Sequence, residues 1–134
     1  MPEYSYVAPD GVTIIPDTYD LSRNCALIFY APGQDMPVYV TNENNKTTSA
    51  YKAAADGTLE VSGMLCPYGQ YSNVTDSEGN VYVADGHIYV YSPDGKEIAF
   101  VEMPERPISI AIGGTGKDRL IVTTTRPIYS VRIK

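Results

Sequence analysis

The sequence has little of several residue types that enzymes and metalloproteins use. Among 134 residues there are no tryptophans, one histidine and two cysteines. A single histidine excludes the usual multi-histidine zinc site, and neither cysteine has a histidine in its local unit, which argues against structural zinc and thiol catalysis. Cys25 and Cys66 could bridge in an oxidising compartment, but two unpaired core thiols are the favoured interpretation. His87 begins a predicted strand, where a surface or edge histidine is expected rather than a general base.

The chain also lacks a long apolar run and a basic face. No stretch approaches the roughly 20 apolar residues that cross a bilayer, and Met1-Pro2-Glu3-Tyr4 is not a signal segment. The formal net charge of −6 at pH 7 works against a nucleic-acid partner, because phosphate binding needs clustered Lys and Arg. We therefore expect a soluble chain with no nucleic-acid and no membrane partner, and the sequence does not indicate its compartment.

Strand-forming and turn-forming residues are abundant instead. The chain has 12 Tyr, 11 Gly and 10 Pro, together with many Val, Ile and Thr. This composition favours strands separated by tight turns. Acidic residues fall in several of these turns, where carboxylates cap backbone donors more often than they catalyse; they are Asp76, Glu78, Asp85 and Asp94. The Gly-rich segment 113–117 lacks the full phosphate-loop spacing and is also expected to be a turn.

Strand segments recur along the chain at the spacing of propeller blades, which is about 40 residues. One series consists of Tyr39-Val40-Thr41-Asn42, Tyr82-Val83-Ala84-Asp85 and Ile121-Val122-Thr123-Thr124. A second series, centred on Tyr51, Tyr91 and Val131, runs in step with the first and has alternating apolar and polar neighbours. The N-terminal segment 6–11 echoes 90–95, two periods later, so the chain starts inside a blade.

We predict an all-β, β-propeller-like fold with about three blades of four-stranded antiparallel sheet, half of a six-bladed ring. The single domain 1–134 would hold an incomplete blade at 1–16, blades at 23–66 and 70–104, and an incomplete blade at 106–134. The strands are predicted near 4–8, 12–15, 24–30, 37–42, 47–54, 59–66, 71–76, 80–84, 87–92, 96–103, 107–112, 120–124 and 128–133. The alternative is a two-layer β sandwich in which the repeat is only the rhythm of hairpins.

Thirteen strands do not fill a closed ring, so blade edges stay open at both ends of the repeat. Open edges attract other strands unless they are paired, covered or charged. Either more chain or a second subunit should therefore complete the blades, and a homodimer could close a six-bladed ring.

The later part of the chain resembles the gluconolactonase, senescence-marker protein and luciferin-regenerating-enzyme family of propellers. The segments that carry the resemblance are 74–86, 88–97, Pro104-Glu105-Arg106-Pro107 with Ala111-Ile112-Gly113-Gly114, and Leu120-Ile121-Val122-Thr123-Thr124. The resemblance covers roughly residues 37–134. It implies a six-bladed propeller that hydrolyses lactones or related esters with one divalent cation, calcium or zinc, in its central tunnel.

In this family a glutamate, an asparagine and an aspartate hold the cation. The aspartate lies five residues before the Asp of the Asp-x-x-Gly turn, a position that Tyr71 occupies here, and a tyrosine replaces a carboxylate ligand poorly. The candidate metal ligands are therefore Asn24, at the asparagine position but without the following glycine, and Asn73, two residues beyond Tyr71. Tyr71 is the candidate ligand-binding residue, and no catalytic residue is assigned.

Two functions follow from this resemblance. The first is a portion of a metal-dependent lactone or ester hydrolase whose catalytic site is incomplete in this chain, so that independent activity is doubtful. The alternative is a non-catalytic module that binds a small ligand or a protein. A small lactone or a sugar-like molecule is the expected ligand.

Overall fold

The structure is a computed structural model that describes residues 4–7, 14–17, 24–27, 37–53 and 59–133. All elements in that part of the chain are strands, which confirms the all-β prediction. They are β1 (Tyr4–Val7), β2 (Ile14–Asp17), β3 (Asn24–Leu27), β4 (Val38–Asn42), β5 (Thr47–Ala53), β6 (Leu59–Cys66), β7 (Asn73–Thr75), β8 (Val81–Asp85), β9 (His87–Tyr91), β10 (Glu97–Val101), β11 (Ser109–Gly113), β12 (Arg119–Thr123) and β13 (Ile128–Arg132). No helix in these ranges is long and apolar enough to cross a membrane.

The strands form separate antiparallel sheets, each made of consecutive strands. Sheet 1 has the order β3-β4-β5-β6, sheet 2 the order β7-β8-β9-β10, and sheet 3 the order β11-β12-β13, while β1 and β2 pair with each other. This organisation matches propeller blades and not the two layers of a sandwich. The blade boundaries proposed from the sequence remain predictions.

The core lies between neighbouring sheets. One cluster joins sheet 1 to sheet 2 and includes Tyr39, Cys66, Val83 and Tyr91. A second cluster, which joins sheets 2 and 3, includes Tyr82, Ala84, Ile88, Val90, Met103, Ile110, Leu120 and Val122. Burying a Val, Leu or Ile side chain stabilises a fold by about 1.5–3 kcal/mol, so these two seams hold the sheets face to face.

The first strand of sheet 2 contacts both neighbouring sheets. The Ile110 N–H of β11 donates to Ser72 Oγ, just before β7, at 3.3 Å. On the other side of β7, the Asn73 amide donates to the Tyr39 carbonyl of β4 at 3.4 Å. β7 therefore lies against both neighbouring sheets. The ends of the sheets that carry Asn24 and Tyr71, beside the last residues of β4 and β8, are here called the inner ends.

The glycines of the acidic turns have backbone conformations that favour glycine. Gly79 and Gly95, in the turns before β8 and β10, have φ values of 87° and 85°, which side chains rarely adopt. The segment 113–117 is likewise the turn between β11 and β12, with Gly114 and Gly116 at positive φ. The turn interpretation of these segments is confirmed.

His87 has a structural contact at the head of β9. Its Nδ1 accepts a hydrogen bond from the Met103 N–H at 2.9 Å, and its ring lies edge-on to Phe100 with centroids 5.3 Å apart. The side chain is half-buried rather than exposed. It ties the segment after β10 to the start of β9.

Candidate ligand site at the inner ends of the sheets

Asn24 and Tyr71 lie at corresponding ends of sheets 1 and 2, Asn24 at the start of β3 and Tyr71 two residues before β7. Asn24 opens β3 and is in register with Asn42, the last residue of β4. Tyr71 lies between Gln70 and Ser72, whose backbone groups bond the carbonyl and N–H of Ala84 at 2.9 Å. Since Asp85 is the repeat equivalent of Asn42, the two candidates occupy the same end of neighbouring sheets.

The backbone contact at Ala84 also explains a difference from the sequence prediction. The sequence predicts a strand over 71–76, but β7 is only Asn73–Thr75. Residues 70–72 wrap around Ala84 instead of continuing the ladder, and Gln70 becomes buried. Gln70 is a polar residue of this region that the sequence does not single out.

Asn73 lies deeper, in the seam between sheets 1 and 2. Its Nδ2 donates to Thr41 Oγ1 at 2.8 Å and to the Tyr39 carbonyl at 3.4 Å, and its side chain is 6% exposed. A carbonyl can only accept, so the nitrogen must face Tyr39 and the orientation of the amide is defined. Thr41 Oγ1 in turn shares a hydrogen bond with Thr48 Oγ1 at 2.9 Å. The Asn73 amide thus joins the two sheets.

Two carboxylates near the inner ends accept hydrogen bonds from nearby segments of the chain. Asp85 Oδ2 accepts the Gly69 N–H at 3.0 Å. Glu105 Oε2 accepts the hydroxyls of Tyr129 at 3.1 Å and Thr124 at 3.4 Å. Both side chains therefore stabilise the segments that lead into β7 and β11.

Asp76 is the centre of the turn between β7 and β8. Its Oδ1 accepts the N–H groups of Glu78 and Asn80, both at 2.9 Å. Its Oδ2 accepts Asn80 Nδ2 and the Tyr82 hydroxyl, both at 3.1 Å. Burial and then the Asp76 charge raise the pKa of Tyr82 to about 12. Asp76 is thus an anchor of the turn, as predicted.

Tyr82 makes the stability of the protein depend on alkaline pH. An unfolded tyrosine has a pKa near 10, so the folded protein holds this proton more tightly. The resulting stabilisation is complete below about pH 10 and is lost as the pH rises through about 12. We expect the urea midpoint to fall as pH rises from about 9 to about 11.5, and to fall less steeply in Tyr82→Phe. Equal slopes in both proteins would contradict this assignment.

Tyr68, Tyr89 and Tyr91 pack in the seam between sheets 1 and 2. Tyr68 stacks on Tyr89 with ring centroids 3.8 Å apart, and Tyr91 tilts against Tyr68 at 6.4 Å. Burial raises the pKa of Tyr91 and of the Cys66 thiol in the same seam. Cys66 is a free, buried thiol, in accord with the core-thiol interpretation for this cysteine, whereas the side chain of Cys25 lies outside the described part of the structure. Tyr71 stays half-buried at the inner end.

Comparison with known proteins identifies the fold family. The family model described as the SMP-30/gluconolactonase/LRE-like region matches residues 30–126. The chain belongs to this family. No curated protein sequence matches it.

Solved structures of the gluconolactonase type share the fold. A protein that a structural genomics consortium assigned to gluconolactonase has a TM-score of 0.80 and 24% identity, over 96% of this chain and 44% of that one. A gluconolactonase from Xanthomonas campestris has a TM-score of 0.77 and 20% identity, over 94% of this chain and 42% of that one. A luciferin-regenerating enzyme has a TM-score of 0.69 and 19% identity, over 91% of this chain and 43% of that one. The chain spans less than half the length of each.

The divalent cation implied by this family does not fit the side chains that the structure describes. Calcium takes six to eight oxygen ligands, several of them carboxylates, and zinc takes four nitrogen, sulfur or oxygen ligands. Within the described ranges no three His, Cys, Asp or Glu side chains cluster. Asn73 offers only its buried Oδ1, which has no hydrogen-bond partner there, and Thr75 Oγ1 is in the same state. Two neutral oxygens in a seam suit a water better than a divalent cation.

Proposed function

We propose that this chain is a portion of a gluconolactonase-like propeller that binds a small lactone or sugar-like ligand at the inner ends of its sheets and does not hydrolyse it alone. The proposal depends mainly on Tyr71. It stands at the position of the family's metal-binding aspartate, in a place that corresponds to Asn24 on the neighbouring sheet. Where the family has a charged carboxylate, this chain has a neutral phenol.

The chemistry of these groups suits binding better than hydrolysis. A phenol hydroxyl and an amide can donate to a lactone carbonyl and accept from ring hydroxyls. Hydrolysis near neutral pH also needs an activated water, which a bound metal or a general base supplies. Asp85 and Glu105, two carboxylates near these ends, each already accept hydrogen bonds from the protein. Further ligands would have to come from outside the described part of the chain or from another chain.

A lactone assay tests the catalytic half of the proposal. We expect the purified chain to hydrolyse glucono-1,5-lactone no faster than the spontaneous rate, with calcium, with zinc or after chelation, as followed in a pH-stat. Hydrolysis that needs a metal and exceeds the spontaneous rate at least tenfold would contradict it.

Ligand titration tests the binding half. We expect a non-hydrolysable sugar lactam to shift amide resonances of residues 70–72 in NMR spectra, with binding weakened about 3- to 10-fold in Tyr71→Phe, the loss typical of one neutral hydrogen bond. Tyr91→Phe is the matched control, because its hydroxyl bonds Glu97 in the outer part of the seam. Equal weakening in both variants, or no shift at residues 70–72, would contradict the assignment.

A further inference from the structure

Sheet 3 exposes a face that the other two sheets bury. Thr48, Ile88 and Ile128 occupy the same position in successive repeats and are in register with the repeat-equivalent residues Thr41, Ala84 and Thr123. Thr48 and Ile88 are 0% exposed because the next sheet covers them, whereas Ile128 is 72% exposed. Within the described ranges, sheet 3 therefore lacks the next sheet.

An open cleft marks the place of a fourth strand in sheet 3. The cleft has a volume of about 710 Å³ and runs between β10 and the edge strand β13. Its lining is apolar on both sides, from Val90 and Val101 of sheet 2 and Val131 of β13, and polar at Asp76 and Glu78. An unpaired edge beside an apolar groove is the geometry that accepts an added strand.

The pair β1–β2 occupies the third and fourth strand positions of a sheet. Asp10-Gly11 precedes β2 as Asp94-Gly95 precedes the fourth strand β10. The registers agree, since Tyr6 of β1 pairs with Ile15 and its repeat equivalent Val90 pairs with Ala99. β13 is the third strand of sheet 3, and β1 is in the third position of its own sheet. Either strand can therefore occupy the place beside β2.

We propose that two copies of this chain assemble head to tail into a closed ring, in which β13 of each copy replaces β1 beside β2 of the other. Each copy then contributes sheets 1 and 2 whole, and the two composite sheets each combine β11–β13 with the other copy's β2. The result is six four-stranded sheets, within the range of natural propellers. The assembly is a strand exchange with two-fold symmetry.

The register predicts which residues meet across the new pair. Ser130 is the repeat equivalent of Val90, and Ile15 is the equivalent of Ala99. Ser130 of one copy should therefore pair with Ile15 of the other. Pro16, which lacks an N–H, is compatible with β2 as the outer strand of the composite sheet. This inference is independent of the proposed ligand.

Light scattering and mixed cysteine variants test the exchange. We expect the full chain to have twice its 14.6 kDa mass in solution. Chains carrying Ile15→Cys, mixed with chains carrying Ser130→Cys and oxidised, should give a disulfide-linked heterodimer on non-reducing gels. Either variant oxidised alone, and the wild-type chain with its native Cys25 and Cys66, should not give this product.

A locked variant serves as the control for the exchange. Tyr6→Cys with Ile15→Cys places both cysteines in one chain, where their disulfide would hold β1 on β2. This protein should be a monomer when oxidised and a dimer after reduction. The proposal is overturned by a wild-type monomer at all concentrations. It is also overturned by a dimer that gives no heterodimer crosslink. A locked variant that stays a dimer when its disulfide is formed would overturn it as well.

Discussion

Gly69→Ala is expected to destabilise the protein by about 4 kcal/mol, more than most single substitutions do. A β-carbon at Gly69 would lie 2.7 Å from Thr41 Cγ2, 2.9 Å from the Thr47 carbonyl oxygen and 2.9 Å from Thr48 Oγ1. The Thr47 carbonyl belongs to the backbone of β5 and cannot rotate away. Relief would have to move Gly69 itself, which breaks the hydrogen bond from its N–H to Asp85. Equilibrium unfolding in urea, followed by far-ultraviolet circular dichroism, measures the loss.

Gly63→Ala is the matched control for this substitution. Gly63 and Gly69 have similar φ values of 153° and 158°, so an alanine experiences comparable backbone strain at both positions. A β-carbon at Gly63 meets nothing within 4 Å. Its cost should therefore be the strain alone, about 1.5 kcal/mol. If the two variants lose equal stability, crowding against sheet 1 is not what selects glycine at position 69.

The strand pattern could be predicted because it is local. The alternation in segments such as Val81–Asp85 and His87–Tyr91 reports one buried face per strand, and turn residues such as Asp94-Gly95 set the hairpins between them. The blade-length period of the strand segments then indicates that each group of strands is one sheet. Packing between sheets could be inferred only as a general consequence of the repeat.

The site was harder to predict because it depends on contacts between sheets. Spacing along the chain places Asn73 two residues after Tyr71, but only the structure shows that its amide is held by Tyr39 and Thr41 of sheet 1. The burial of Gln70 likewise follows from the path of residues 70–72 around Ala84. One feature of the sequence did point to this region. Asp85 occupies the repeat position of Asn42, so both residues are expected to end a strand on the same side of neighbouring sheets.

These contacts also distinguish the polar residues that join the sheets from the one that we propose to bind a ligand. Thr41, Thr48 and Asn73 form one hydrogen-bonded chain between sheets 1 and 2, which continues from Thr48 Oγ1 to the Tyr68 carbonyl at 2.9 Å. A buried network that is nearly satisfied stabilises one relative placement of the sheets. Tyr71 lies outside this network. Its hydroxyl is therefore the group of this segment that we propose to bind the ligand.

Asp76→Ala is expected to cost about 3 kcal/mol, because hydrogen bonds to a charged acceptor contribute about 1.5–3 kcal/mol each and do not add fully. The substitution removes the acceptor of two backbone N–H groups, one amide and the Tyr82 hydroxyl. Tyr82 is 6% exposed, so water replaces its lost partner poorly. Asp76→Asn keeps an acceptor for the backbone donors but turns an N–H₂ toward Asn80 Nδ2, and about half of the loss should remain.

Asp94→Ala distinguishes a half-buried anchor from an exposed acidic turn. Asp94 lies in another turn of sheet 2, between β9 and β10, where it is exposed and accepts a hydrogen bond from the Ser92 hydroxyl. Water can take over that bond, so its loss should stay below about 1 kcal/mol. The same urea series measures all three variants. Equal losses for Asp76→Ala and Asp94→Ala would mean that the carboxylate contributes only as a turn former and that its bond to Tyr82 adds nothing. A larger loss at Asp76, together with a lower pKa for Tyr82 in Asp76→Ala, would place the extra stability in that bond.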